Sequence, residues 1–310
     1  MNFFDLHCDT IGECCNNNLP LRKNSLNIDL ERAKLIGNHV QVFAIWLPDE
    51  FRGVDAVKYF DKTADFFYSE IEKNGDLISL YRENKNTPVR AILAVEGGSA
   101  CGGTVDGLEH LYSRGVRLIT LTWNGKNEIA SGAFSKGGIT EFGKDFIRTA
   151  EELGIVLDVS HLNEQSFSEF VKISKNPFIA SHSNADIVDN YYGRKRNLSD
   201  GQIRIIKERK GLIGFNFCKD FLEDERARGL DALCRQIDYM LSLDCADIIA
   251  FGSDFDGCEP HRDFEGIEKI PEVYLKLKAR GYNETLLDKI FYNNAENFFG
   301  KIKTVSKGLS

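Results

Sequence analysis

FFDLHCD, residues 3–9, is an apolar run that ends in groups able to hold a metal, and it is the first of eight such runs in a chain of 310 residues. The others are VQVFAIWL (40–47), RAILAVEGG (90–98), VRLITLTW (116–123), IVLDVSHL (155–162), PFIASHSN (177–184), GLIGFNF (211–217) and IIAFGSDF (248–255). Rich in Val, Ile, Leu and Phe and too short for buried helices, they read as parallel strands covered on both faces.

Helical patterns lie between them. IDLERAKLIGN carries Asn27 and Asp29 as candidate caps and stops at Gly37-Asn38. EFGKDFIRTAEELG sets Phe142, Phe146, Ile147 and Ala150 on one stripe and stops at Gly154. SDGQIRIIKERKG opens with Ser199 or Asp200 as cap, and LDALCRQIDYMLSL and NETLLDKIFYNNAENFFG keep the same 3.6-residue spacing. Eight strands alternating with helices predict an α/β fold, a (β/α)8 TIM-type barrel forming one domain over residues 1–310. A doubly wound open sheet is the alternative.

Composition excludes several classes. A net charge of −8 argues against a polyanionic partner, so no nucleic acid is expected. The basic stretch KIKTVSK at 301–307 reads as a solvated tail. No apolar run approaches the roughly 20 residues that span a bilayer, so no membrane partner is expected. MNFFDLHCDT lacks the pattern of a secretory leader, which predicts a cytoplasmic protein with reduced thiols. The eight cysteines form no CxxC pair and read as free.

Ionisable residues cluster where the runs end: His7-Cys8-Asp9, Glu96, His161, His182 and Asp254. In a (β/α)8 barrel all strands open at their carboxyl ends on one face, so these residues converge. A strand period of two places His7 and Asp9 together and turns Cys8 away. Singly, each has a structural reading; a buried Glu96 is the rarest, because an unpaired buried carboxylate is costly. His39 and His110 read as structural, and His261 is a candidate for the pocket border. Mixed imidazole and carboxylate donors suit Zn2+. Six groups exceed what one ion needs, so the economical reading has two Zn2+ per chain. One takes His7, Asp9 and Glu96, the other Glu96, His161 and His182, with Asp254 left for proton transfer. Such a site activates water and polarises a carbonyl, which is hydrolytic chemistry. GxSxG is missing, and Ser253 and Ser160 are read as pointing away from the site.

The segments DLHCDT, AVEGG, RLITLTWN, LDVSHL, ASHSNA, KRNLSD, GLIGFNF and GSDFDG resemble, in order, the membrane dipeptidase (renal dipeptidase) family, the M19 metallopeptidases of the amidohydrolase superfamily. That resemblance implies a metallo-dipeptidase that cleaves small dipeptides with a metal-bridging hydroxide. Carried over, it implies that Glu96 bridges the two zinc ions, that Asp254 is the general acid/base, and that Arg196 clamps the substrate's terminal carboxylate. Arg194 competes for the last role, because the interval from His182 is longer than in the family. Where many members carry a His, this chain has Trp123-Asn124, and Asn124 is the candidate donor to the scissile carbonyl. Deacetylation of N-acyl amino acids, lactone opening, or an inactive binding protein on the same barrel are the alternatives. A homodimer stays open.

Overall fold

The computed structural model describes residues 1–83 and 85–301, so the basic tail beyond Lys301 lies outside the described residues. Nine parallel strands form one sheet: β1 (Phe3–Cys8), β2 (His39–Trp46), β3 (Ile78–Leu80), β4 (Val89–Glu96), β5 (Val116–Thr120), β6 (Val156–Asp158), β7 (Ile179–Ala180), β8 (Leu212–Phe215) and β9 (Ile249–Phe251). Eight of them close a barrel in the order β1-β2-β4-β5-β6-β7-β8-β9, with β9 pairing back onto β1. The closed barrel, rather than an open sheet, is therefore the architecture.

The ninth strand, β3, was not expected. It pairs with the lower half of β4, at Ile78↔Val89 and Leu80↔Ala91, on the side where β5 pairs only with residues from Leu93 upward. At three residues it is too short to show an alternating pattern. Another unforeseen element is the 21-residue helix Gly53–Lys73, which buries Ala56, Phe60, Ala64 and Phe67 on one stripe. The helix expected from residue 28 to 36 shrinks to Leu30–Ala33, capped by Asp29, whose side chain accepts from the Arg32 amide. By contrast, Ser199 and Gln202 form a reciprocal capping box, and Gly154 ends Glu141–Leu153 in the left-handed conformation that glycine tolerates. The last helical pattern is interrupted by a π turn, Lys289–Asn293, before Asn294–Phe299.

Two apolar layers hold the barrel. Outside, the strands pack on the helices. Inside, Phe4, Leu6, Val40, Val42, Ala44, Ile92, Ala94, Leu118, Val156, Ile179, Leu212 and Ala250 fill the lumen. The closing helix seals the floor, with Phe299 stacked on Phe4 at 5.3 Å between ring centroids. Among the described residues no helix is long and apolar enough to cross a membrane.

Parity along β1 changes midway. Phe4 and Leu6 belong to the lumen, whereas Cys8 packs in the outer core. The switch comes from an irregularity in pairing: Asp5 faces Gln41 and Cys8 faces Phe43, so three steps on β1 match two on β2. A bulge of this kind re-aims side chains. Without it Cys8, not His7, would follow Leu6 into the barrel. The plain alternation expected from the sequence reached the correct side for His7 and Asp9, but the bulge is what puts them there.

At the opposite rim, His39 is fully buried, with Nε2 3.1 Å from Gln41 Oε1 and Nδ1 without a partner. Burial pushes its pKa down to about 4, against a weaker upward pull from Gln41. Between the ordinary value near 6.5 and about 4, the unfolded chain binds a proton that the folded chain refuses. Stability is therefore complete above about 6.5 and falls as the pH drops through that window. Denaturant unfolding should show that His39→Leu removes about 2–3 kcal/mol of the loss between pH 7 and 4.5. Equal losses in both proteins would refute this assignment.

Candidate metal centre

Every residue singled out at a strand end stands on the same face of the barrel, and six of them form one buried cluster. His7 Nε2 lies 3.5 Å from Asp9 Oδ2, 3.5 Å from Glu96 Oε2 and 3.9 Å from Asp254 Oδ1. His161 Nε2 is 2.8 Å and His182 Nε2 3.4 Å from Glu96 Oε1, and the two imidazole nitrogens are 2.9 Å apart. Glu96 thus turns one oxygen to each side. Within the cluster, His7, Asp9 and Glu96 form one donor triad, Glu96, His161 and His182 a second, and His7, His182 and Asp254 a third, each within 4.8 Å.

Local backbone explains how these side chains arrive. Glu96 continues the lumen parity of Ile92 and Ala94 on β4. His161 and Asp254 sit just past their strands with φ of +69° and +61°, the left-handed region that few residues besides Gly, Asn, Asp and His adopt. The backbone just past β7 runs close to Gly214 and Gly252, where a Cβ would meet the Ser181 carbonyl oxygen at 1.9 or 1.7 Å. Gly257 matters similarly, since a Cβ there would lie 2.0 Å from Asp9 Oδ2.

The donor chemistry fits a divalent cation. Around a tetrahedral zinc with bonds of about 2.0–2.2 Å, ligand atoms stand roughly 3.3 Å apart, and the donor separations here, 2.8 to 3.9 Å, bracket that value. His7 Nε2 and Asp9 Oδ1 are buried without any hydrogen-bond partner. His161 Nδ1 faces Asn124 Oδ1 at 3.0 Å, so it carries the ring proton and leaves Nε2 a bare lone pair. Lone pairs and carboxylates crowded together repel, and a cation among them reverses the sign.

Protons answer the same demand. Burial works against a charged His7, yet Glu96 and Asp9 raise its pKa well above the usual value. Burial, reinforced by Glu96, pushes Asp9 up to about 7. Burial opposes ionisation of Glu96 as well, but His7 and His161 hold it well below the usual range. His161 is pushed down to about 3, by burial first and Arg196 next. Metal uptake here would displace protons, as ligand sites of this kind do.

Asp254 occupies the edge of the cluster. Its Oδ2 accepts from Asn216 Nδ2 at 2.8 Å, leaving Oδ1 toward His7. Arg196 ends the helix Tyr191–Arg196 and is buried, with its guanidinium 5.1 Å above the Phe221 ring and one long bond of 3.5 Å to the His182 carbonyl oxygen. Among the described residues no carboxylate lies within ion-pair distance of it, and its Nε has no partner. Burial lowers its pKa. Arg194, by contrast, is at the surface and paired with Asp189. Asn124 spends its carbonyl oxygen on His161 rather than on solvent. His261 lies against Asp263, outside the donor triads, and His110 pairs with Asp61. Ser253 Oγ bonds Asp5, and Ser160 Oγ bonds Ser183, so neither is a free nucleophile.

The sequence reading missed Asp158. It is fully buried on β6 and accepts four hydrogen bonds: the Ser160 and Ser181 amides at 2.9 Å each, Thr120 Oγ1 at 2.6 Å and Ser181 Oγ at 2.5 Å. Burial works to raise its pKa, but His182, Ser181 and Thr120 hold it below the usual carboxylate range. The signal was available: an aspartate inside IVLDVSHL must be partnered if that run is a barrel strand.

Comparison with known proteins gives a consistent result. The family model described as Membrane dipeptidase (Peptidase family M19) matches residues 1–310. An uncharacterized protein in the pqqA 5′ region of Klebsiella pneumoniae is 33% identical over 226 residues, covering 69% of this chain and 81% of that protein. Among solved structures, a metallopeptidase from Rhodobacter sphaeroides liganded with a phosphinate mimic of the dipeptide L-Ala-D-Ala superposes with a TM-score of 0.89 at 23% identity, over 98% of this chain and 99% of that one. The probable dipeptidase PvdM from Pseudomonas aeruginosa gives 0.82 at 18% identity, over 97% and 95%. At these identities the two structures speak for the fold.

Proposed function

Because the chain belongs to the membrane dipeptidase family, peptidase family M19, on a match spanning residues 1–310, we propose that it hydrolyses the amide bond of small dipeptides with the help of two divalent ions. The observation that carries this reading is Glu96, whose two oxygens face two separate donor triads. His7 and Asp9 would hold one ion, His161 and His182 the other, with Glu96 between them and Zn2+ favoured by the donor set. Bound there, the ions would supply Lewis acidity, polarising the scissile carbonyl and making a nearby water acidic.

The remaining work falls to the chain's own side chains. Asp254 takes the proton from the attacking water at Oδ1 and delivers it to the leaving amine; Asn216 keeps its other oxygen engaged and the carboxylate oriented. Arg196 binds the substrate's free carboxylate, because a buried guanidinium without an anionic partner gains most from one. Asn124 orients the His161 ring through Oδ1, which leaves its Nδ2 as the donor for the scissile carbonyl.

A panel of L,L and L,D dipeptides, offered to protein reconstituted with Zn2+, tests the activity. The Ala-Ala pair with a D-residue in second place is a natural inclusion, given the ligand of the Rhodobacter structure. No turnover on any dipeptide, with N-acyl amino acids or lactones consumed instead, would overturn the reading. Arg196→Ala should cut kcat/KM about 100-fold, mainly through KM, because one charge-assisted contact is worth about 2–3 kcal/mol. Arg194→Ala should stay within about twofold, as expected for an exposed ion pair. The reverse ranking would transfer the clamp to Arg194.

A further inference from the structure

We propose that Asp158 is a positioning residue for the metal centre: acting through Ser181 Oγ, it fixes the tautomer of His182 so that Nε2 presents a bare lone pair to the ion. The inference rests on the metal-dependent reading of the site, and it concerns a residue two steps removed from any ligand atom.

The geometry leaves little freedom. Asp158 Oδ1 faces two backbone amides, from Ser160 and Ser181, both at 2.9 Å, and amides can only donate. Its Oδ2 faces two hydroxyls, Thr120 Oγ1 at 2.6 Å and Ser181 Oγ at 2.5 Å. A carboxylate surrounded by four donors is served best when ionised, and an ionised carboxylate only accepts. Ser181 has a single hydroxyl proton, which is therefore committed to Asp158. What Ser181 Oγ turns toward His182 Nδ1, at 2.7 Å, is a lone pair. His182 must then carry its proton on Nδ1, and Nε2, 3.4 Å from Glu96 Oε1, is free to ligate.

Burial enforces the relay. Asp158, Ser181 and His182 are fully buried, so no water can replace a missing partner. Gly214 and Gly252 leave the room that the Ser181 carbonyl oxygen occupies, since a Cβ at either would meet it at 1.9 or 1.7 Å. His161 reaches the same tautomer by another route, through the amide oxygen of Asn124. The two imidazoles that share Glu96 Oε1 are thus keyed independently.

Asp158→Asn is the decisive variant. Its amide oxygen can still receive the two backbone N–H groups, but its amino group would donate to Ser181 Oγ. The serine proton is then released toward His182 Nδ1, which forces the ring proton onto Nε2. Replacing an orienting aspartate by asparagine puts the proton on the wrong nitrogen in serine-protease triads for the same reason. Ser181→Ala merely removes the link, and Thr120→Val removes one donor to Asp158 while leaving the relay intact.

The test uses metal-free protein labelled with 15N at histidine, in which ring nitrogen shifts distinguish the two tautomers, together with chelator competition for Zn2+. The wild type is expected to hold His182 with the proton on Nδ1, and Asp158→Asn on Nε2. Zn2+ affinity should fall about 100-fold in Asp158→Asn and about 10-fold in Ser181→Ala. Thr120→Val, which spares the relay, should stay within about threefold of the wild type. If Asp158→Asn does not fold, the wild-type tautomer and the contrast between Ser181→Ala and Thr120→Val decide. A wild-type proton on Nε2, unchanged affinity in Ser181→Ala, or equal losses in Ser181→Ala and Thr120→Val would overturn the inference. Both readouts are independent of dipeptide cleavage, so an inert but zinc-binding protein would refute the proposed activity and leave this inference standing.

Discussion

Asp254→Asn should lower kcat by about 10^3-fold while leaving bound zinc unchanged, since a positioned acid/base contributes typically 10^2–10^4. The substitution is a clean one. Asp254 sits at φ +61°, a conformation that asparagine adopts with little strain, so the backbone at the cluster edge is preserved. Its amide oxygen can keep the bond from Asn216 Nδ2, now 2.8 Å. What disappears is the ability to accept and return a proton. Turnover on the dipeptide panel together with metal content by elemental analysis separates the outcomes. Joint loss of activity and metal would make Asp254 a ligand, consistent with its place in the triad with His7 and His182; retained activity would remove it from the chemistry altogether.

Glu96→Gln should be the more damaging change, because it turns one of the two acceptor oxygens into a donor and removes the central negative charge from both triads at once. His7 and His161 lose the carboxylate that faces them at 3.5 and 2.8 Å. Both ions would be held by neutral imidazoles and Asp9 alone. We expect metal content below one ion per chain and activity reduced by at least about 10^3-fold, equivalent to about 4 kcal/mol of lost transition-state stabilisation. Elemental analysis after dialysis, beside the same panel, measures both. Full occupancy with ordinary turnover would show that Glu96 is not shared between ions.

The barrel itself could be read from the chain because its strands are covered on both faces and therefore appear as continuous apolar runs. All eight runs overlap a barrel strand, and the ends of five carry the residues that the structure gathers into one cluster. What escaped reading depends on pairing rather than composition. β3 is three residues long and exists because the lower half of β4 has an unoccupied side. The bulge between Asp5 and Cys8 is visible only against its partner strand, so alternation alone gave the right orientation without the cause. Asp158 and Ser181 needed the third dimension too, since the relay crosses from β6 to the end of β7. The sequence favoured Arg196 over Arg194 only by resemblance, whereas the fold separates them: two residues apart on one helix, one pairs with Asp189 at the surface and the other is buried against the His182 carbonyl oxygen.

The plugged lumen also governs traffic. With Phe299 and Phe4 stacked across the bottom and apolar side chains filling the shaft, the chamber is a cul-de-sac. On the proposed function a dipeptide would enter, and both amino acids would depart, by the same mouth. If Arg196 holds the substrate's carboxylate as proposed, the fragment released from it would keep that carboxylate and compete with the next arrival for one berth.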